Sequence, residues 1–540
     1  MLATANINID EKLALLEQSV RVLTVERDAC QAERDQYQKL YLSMLELCRK
    51  LERGILSQKR ERFVDGDASL TMSLLELMTG NPPNAVTAPP PPPARDEVEA
   101  HTRAKPTGRK PLPANLPRVD IEVLPLEVQA KGLDAFDRIG EDVTETVERR
   151  PSSFVVVRTH KPKFVLKGTD RLGACEVLQG SALELPIERG MAGPGLLADT
   201  LVRRWQDHLP LHRLERIYGR DGLPLARSTV CGWHAQLAAL VKPLIEAMWT
   251  DAFTAPYLCT DATGVLVQHN DRCRQGHFWV VAAPEKHILF AYTPKHNGAA
   301  VDTLLGGYKG YLVADAHSVY EHLFKTGDVL KCGCMAHARR YFFKALLTDS
   351  ERASHALTLL GVLFRLERTL ATSTPEERQR VRLAQAKPVL DEFFAWCDKE
   401  ALVVIDETPI SKAIGYARNQ RVPLQRFLQD GRLPMHNNLS ERELRREAVG
   451  RRNWLFIGND DAGEVNATFV TLLASCQLHG LEPLGYLRDL LCLLPSWPVK
   501  RVLELAPAYW KKTLEQENTQ QRLAANVFRQ VSLGEHSPKK

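Results

Sequence analysis

The sequence predicts an α/β protein: a mixed-sheet domain with a helical block inside it, preceded by a coiled coil and a helix-turn-helix. Three observations carry that prediction. From Leu13 onward, apolar residues recur at alternating intervals of three and four for more than five heptads. Between 194 and 245 two helical patterns flank a break rich in glycine and proline. From 256 onward, three strand-like runs are followed by alternating helix and strand, as in a mixed sheet with helices on its faces.

Composition bounds the reading. With 540 residues, 44% of them hydrophobic, the chain can build several cores. No apolar run approaches the roughly 20 residues that span a bilayer, and MLATANINIDEKLALLEQ lacks the basic-then-apolar order of a secretion signal, so a cytoplasmic location is expected. The 11 cysteines are scattered and include no C-x-x-C, which argues against a disulfide framework. Net charge is only +5, so it is the local arginine clusters that suggest a polyanionic partner.

The first element is a coiled coil over 11–63. Its seam runs through Leu13, Leu16, Val20, Leu23, Arg27, Cys30, Arg34, Tyr37, Tyr41, Met44, Cys48 and Leu51, and it implies a homo-oligomer. The alternative is a long helix packed on its own protein. Residues 80–118 are proline-rich and form an extended tether that contains a short basic piece, Gly108-Arg109-Lys110-Pro111, suited to a DNA minor groove or simply to solvent. Residues 119–170 alternate in runs such as FVVVRTHKPKFVLKG and predict a small β-rich module.

The next segment, 190–248, is the helix-turn-helix candidate. Leu211, Leu214, Ile217 and Tyr218 make one apolar face; after the Gly219 and Gly222-Leu223-Pro224 break, Ser228 is placed to cap a second helix that faces inward with Val230, Trp233 and Leu237. In that arrangement the start of the second helix enters the major groove, which singles out Arg227, Ser228, Thr229 and His234 as contacts. A plain helical pair in a bundle fits the same pattern. The sheet domain follows in two parts, 255–348 and 406–495, around the helical block 349–405. Two amphipathic helices near 464–478 and 483–494 precede a C-terminal tail, 496–540, that is polar after 512.

Three carboxylates stand out. Asp261 lies within the apolar strand PYLCTDATGVLVQ and Asp315 ends the strand YLVAD; an ionised carboxylate among apolar residues needs a cation or hydrogen bonds. In a 3-2-1-4 sheet the first and fourth strands are neighbours, so these two side chains can meet. Convergent carboxylates are the oxygen-rich setting for Mg2+ or Mn2+. Glu441, in HNNLSERELRREAVGRRNW, supplies a third from a helix that Asn438 and Glu441 are placed to begin as a capping box. Two ions held there would clamp a phosphodiester, and Arg442, Arg445, Arg446, Arg451 and Arg452 would neutralise nucleic-acid phosphates beside them.

The blocks PYLCTDATGVLVQ, GHFWVV, GYLVADAHSVY, HARRYFFKAL, ETPISKAIGYARNQR, LPMHNNLSERELRREAVGRRNWLFIG and NATFVTLLASCQLHGLEPLGYLRDLL resemble the DDE transposases of the bacterial insertion sequence sixty-six family. The resemblance implies an RNase H-like catalytic domain with a helical insertion, an Asp/Asp/Glu triad on Asp261, Asp315 and Glu441, divalent metal, and cutting and joining of transposon terminal inverted repeats into target DNA. It also implies possible small accessory proteins of the same element. Members commonly carry a zinc module before the helix-turn-helix; 119–170 has no cysteine, so a β shape without zinc is expected there. Cys332, Cys334 and His337 have irregular spacing for zinc, and His337, Arg339 and Arg340 are expected to hold DNA instead. A DNA-binding oligomer without catalysis, or an RNase H-type nuclease, are the competing functions.

Overall fold

A computed structural model describes residues 9–56, 112–114, 116–150, 153–166, 177–270 and 272–535. Nearly all of the expected tether, including Gly108-Arg109-Lys110-Pro111, lies outside the described residues, as does the end of the expected coiled coil at 57–63. The first element is a single helix of 48 residues, α1 (Ile9–Leu56). On it the seam residues Val20, Leu23, Tyr37, Tyr41 and Met44 are 58 to 66% exposed. The chain divides into two compact units: residues 108–334 with 432–540, and residues 335–431 grouped with 1–107.

In the larger unit, β1 (Arg118–Glu122), β2 (Phe136–Arg150), β3 (Ser153–Leu166) and β4 (Leu178–Gln179) form a sheet in the order β1-β3-β2, with β4 beside β3. The segment FDRIGEDVTETVERR is a long strand despite its charge, because its carboxylates meet cations across the pleat. Glu145 pairs with Arg118 at 3.1 Å and with Arg158 at 3.3 Å, and Lys163 pairs with Asp142 at 2.9 Å. The apolar face of β3 packs Val155 and Val157 against Val119 and, from the far end of the chain, Phe528 and Val531. The segment after 512 is therefore not a polar tail. Its helices are α17 (Trp510–Leu514), α18 (Glu517–Ala525) and α19 (Val527–Leu533), numbered after those below, and their few apolar residues sit at helical spacing and close this core.

The helical segment begins with α2 (Leu126–Lys131), α3 (Pro194–Leu201) and a π turn (Val202–Gln206), then α4 (Leu211–Arg220) and α5 (Arg227–Ala252). Leu214, Tyr218, Val230, Trp233 and Leu237 are buried, as the pattern predicts. Ser228 does not cap α5: the helix starts one residue earlier, with Ala226 at its N-cap.

The second sheet has six strands: β5 (Tyr257–His269), β6 (Arg272–Ala283), β7 (His287–Thr293), β8 (Gly310–Val313), β9 (Val329–Cys332) and β10 (Phe456–Ile457). Their order is β7-β6-β5-β8-β9, with β10 joining β5. β5, β6 and β7 are antiparallel, while β8 and β9 add in parallel through the crossovers α6 (Gly298–Leu305) and α7 (Glu321–Lys325). The first and fourth strands are thus neighbours. After β9 the chain leaves for the smaller unit and returns as α14 (Asn438–Trp454), α15 (Asp460–Leu478) and α16 (Pro483–Leu493). α15 closes the exposed edge of β7 with side-chain hydroxyls: Ser475 and Thr471 accept from the Ile288 and Phe290 N–H groups at 3.1 and 2.8 Å.

The smaller unit is helical: α8 (Met335–Ala345), α9 (Ser350–Thr369), α10 (Pro375–Val381), α11 (Lys387–Glu400), α12 (Pro409–Asn419) and α13 (Arg421–Gln425). Its core contains Phe342, Phe393 and Leu360, and a fully buried Arg382 whose guanidinium donates to both Glu367 oxygens at 2.8 and 2.7 Å and to the Phe427 carbonyl at 3.0 Å. No helix of the described residues is long and apolar enough to cross a membrane.

Candidate active site

Strand register brings the two aspartates together. β5 and β8 run parallel, with Cys259 opposite Val313 as the last pair. Two residues further on each chain lie Asp261, still within β5, and Asp315, just past the end of β8. Both are partly buried. Asp261 Oδ1 accepts from the Ala262 N–H at 2.8 Å, and Asp315 Oδ1 accepts from the His317 N–H at 3.1 Å. Tyr320 is near enough to feel both. Burial pushes its phenol well above the usual value, the hydrogen bond with Thr260 opposes that, and the charges of Asp315 and Asp261 add to it. One hydroxyl thus lies in the field of both carboxylates.

Glu441 enters through its helix. The expected capping box does not form: Asn438 is the first helical residue, Asn437 is the N-cap, and no side chain closes the cap. Asn437 is fully buried and engaged elsewhere. Its Nδ2 donates to the Thr260 carbonyl at 2.8 Å, and its backbone N–H donates to the Cys334 sulfur at 3.1 Å. The helix start is thereby fastened to the residue preceding Asp261. Glu441 follows one turn later, with a carboxylate oxygen within 4.8 Å of the Cys334 sulfur. Its place in the first turn is also favoured by the helix dipole.

The arginines of α14 divide into two groups. Arg442, Arg445 and Arg452 are exposed. Arg446 is 12% exposed and fixed by Glu443 at 3.0 Å and Gln206 at 3.2 Å, while Arg451 donates to Thr263 Oγ1 at 2.9 Å and to the Gly264 carbonyl. Those two hold α14 to its neighbours. On α5, Arg227 and Ser228 are exposed and Thr229 is partly buried at the helix start. His234 is not a surface group. It is 3% exposed, its Nε2 lies 3.0 Å from Thr200 Oγ1, and its ring packs 4.8 Å from Trp205. Burial lowers its pKa to about 3, so it is a neutral core residue, and the expected groove contact is corrected. His337, Arg339 and Arg340 belong to α8 of the smaller unit, with both arginines exposed.

Sequence reasoning missed Asn437 as an anchor, and it missed the rings around Asp315. His296 stacks on Trp279 at 4.7 Å and meets His317 edge-on at 4.6 Å. It also missed the buried pair Arg204 and Glu447; burial pushes the Glu447 carboxyl up to about 7, with Arg204 opposing.

A family model described as "Transposase IS66 family" matches residues 189–465, one described as "IS66 C-terminal element" matches 471–508, and one described as "Transposase C of IS166 homeodomain" matches 44–121. The last overlaps the end of α1 and the segment expected to be a mere tether. Among curated relatives, the uncharacterized protein y4hP of Sinorhizobium fredii is 30% identical over 86% of this chain and 88% of its own length. The uncharacterized protein y4qI of the same strain is 30% identical over 75% of this chain and 78% of its own. A third, y4jD, is 27% identical over 74% and 81%.

Proposed function

Because the chain belongs to the IS66 family of transposases, we propose that it cuts DNA at transposon ends and joins the freed 3′-hydroxyl to target DNA, using Asp261, Asp315 and Glu441. The observation that supports this reading is the register of β5 and β8, whose last pair, Cys259 with Val313, stands two residues before Asp261 and Asp315, with α14 fastened to the strand residue just before one of them. The sheet is then an RNase H-like core, and 349–405 part of a helical insertion. A donor set of these three carboxylates would suit two Mg2+ or Mn2+ ions. When bound, such ions supply charge stabilisation and an acidified water.

The chain's own residues do the rest. Asn437 orients the Glu441 helix, and the Asp261 and Asp315 carboxylates are held by backbone N–H groups. The Tyr320 phenol, with its raised pKa, stays protonated at neutral pH and presents no competing anion. Arg442, Arg445 and Arg452 line one exposed side of α14 and neutralise DNA phosphates; on the smaller unit, the exposed Arg339 and Arg340, with His337, hold DNA on their own account. End recognition is divided between the homeodomain-like segment 44–121 and the start of α5, where Arg227, Ser228 and Thr229 meet base edges. α1 joins copies of the chain as a coiled coil. Accessory proteins of the element are further candidate partners, and a chromosomal substrate places the reaction in the bacterial cytoplasm.

The test uses supercoiled plasmid carrying the terminal repeats, with Mg2+ or with EDTA. Wild type nicks and joins only with the metal. Asp261→Asn and Glu441→Gln lower both by at least a thousandfold while retaining end binding in gel shifts. Near-normal joining by either variant would refute the assignment, and binding without any metal-dependent cutting by wild type would leave a non-catalytic DNA-binding protein.

A further inference from the structure

Immediately after α14 the chain does something costly. Leu455 takes φ 63°, a conformation uncommon for a bulky residue, and it is 64% exposed; Phe456 beside it is 44% exposed. Two large apolar side chains are thus presented to solvent in succession, next to the exposed arginine row of α14. Such outliers persist only where the surroundings enforce them, and they concentrate at functional sites.

Behind Phe456 lies a cavity of about 600 Å³, also walled by Arg204, Trp205, Asp461 and Asn466. That volume falls within the roughly 300 to 1,000 Å³ typical of small-ligand pockets. Three buried atoms of the lining residues have no hydrogen-bond partner among the described residues: Arg204 Nη1, Trp205 Nε1 and Asn466 Oδ1. The lining itself mixes apolar and aromatic faces with polar side chains, Asn459 and Asp461 among them, and such a wall suits an occupant that is flat and apolar on its faces and polar at its edge. A phosphate fits poorly. Glu447 already faces Arg204, and Asp461 adds a carboxylate at the wall. A flat heterocycle that both accepts and donates fits this mixture of groups and can stack on the aromatic walls.

We propose that this cavity receives one nucleobase displaced from the stack of the bound DNA, with Leu455 filling the gap it leaves. The two halves of the device are the ones such extrusion requires: an apolar wedge that occupies the vacated step and a pocket that pairs the edge of the departed base. The proposal rests on the DNA-processing function above and deepens it. Leu455 follows Glu441 by 14 residues of helix, about 21 Å at 1.5 Å per residue. At 3.4 Å per base pair, the displaced base lies within about six pairs of the cleaved bond.

The experiment uses the full chain and a duplex of the terminal repeat flanking the coding region, with 2-aminopurine placed in turn at each position near the end. Emission should change at least threefold at one position on binding, and Leu455→Ala, an exposed substitution that leaves the fold intact, should abolish that change. The variant should bind the intact duplex about tenfold more weakly yet regain wild-type affinity when that position is abasic, because no unstacking is then needed. Binding and nicking by wild type with no position responding would overturn the proposal, as would a Leu455→Ala defect of equal size on intact and abasic duplexes. Failure of wild type to bind or nick at all would instead overturn the transposase reading, and this proposal with it.

Discussion

Asn437 shows how one side chain can be misread and yet prove informative. In sequence, HNN reads as a loop leading into a cap; in the fold, the carboxamide of Asn437 forgoes capping and donates to Thr260, while its backbone donates to Cys334. Removing the carboxamide would leave the buried Thr260 carbonyl without that donor, at a cost of about 1 to 3 kcal/mol. Asn437→Ala is therefore expected to lower the melting temperature by several degrees. It should lower the nicking rate more than tenfold at temperatures where the variant remains folded, because the start of the Glu441 helix loses its tie to β5. Thermal denaturation and plasmid nicking, measured on the same preparation, check both; a stability loss with unchanged nicking would show that Asn437 serves the fold alone. His234 teaches the converse lesson. It stands near the expected groove-facing turn, but the helix phase turns its ring inward onto Trp205.

At the scale of elements, Glu148 links a strand to a helix. Its Oε1 accepts from the Arg149 N–H at 2.7 Å and from the Leu196 N–H at 2.8 Å, in the first turn of α3, and it is fully buried. Gly193 and Gly195 permit this close approach: a Cβ at either would sit within 2.4 Å of the carboxylate. Burial pushes the carboxyl from 4.5 up to about 8, with the backbone N–H groups opposing. The folded form thus holds a proton that the unfolded chain has already released, so the stabilising contribution is complete below pH 4.5 and is lost as pH rises through about 8. Melting temperature should fall between pH 6 and pH 9, and Glu148→Gln should flatten that fall. An unchanged pH profile in the variant would remove Glu148 as its source. Ser532 of α19 donates to the Arg149 carbonyl at 3.0 Å, so the C-terminal helix and this strand should loosen together.

For the whole molecule, the question is what covers α1. A 48-residue helix with Val20, Leu23, Tyr37, Tyr41 and Met44 exposed in heptad register has the geometry of a coiled-coil partner. Arg27 and Arg34, placed in the same row, pair with Asp28 at 2.7 Å and Asp35 at 2.8 Å, each next to its arginine in sequence. These pairs relieve the burial of charge that a dimer seam would impose. Sedimentation of the full chain should give a dimer or larger species, and Leu23→Glu with Tyr41→Glu should yield monomers with the larger unit still folded. A monomeric wild type would return α1 to the alternative of a helix that packs within one chain.

Periodicity alone was enough for α1 as a helix and for the inward faces of α4 and α5, because an apolar period near 3.6 is a local property of the chain, and the alternation of strand and helix patterns after 256 was enough for the sheet in which β5 and β8 are neighbours. The positions of Asp261, Asp315 and Glu441 were legible as oddities: acidic groups in apolar strands, and an acidic residue at the head of a basic helix. What the sequence hid was every feature that depends on a partner remote along the chain. The charged strand β2 is stable only opposite β3, the polar-looking end of the chain becomes core only against Val155 and Val157, and Asn437 acquires its task only when Thr260 arrives. Composition and spacing thus determined which elements form and which residues are chemically out of place. The tertiary structure decided which of those residues meet, because hydrogen bonds and buried charges are satisfied by whatever the fold brings within about 3 Å, and sequence distance places no limit on that.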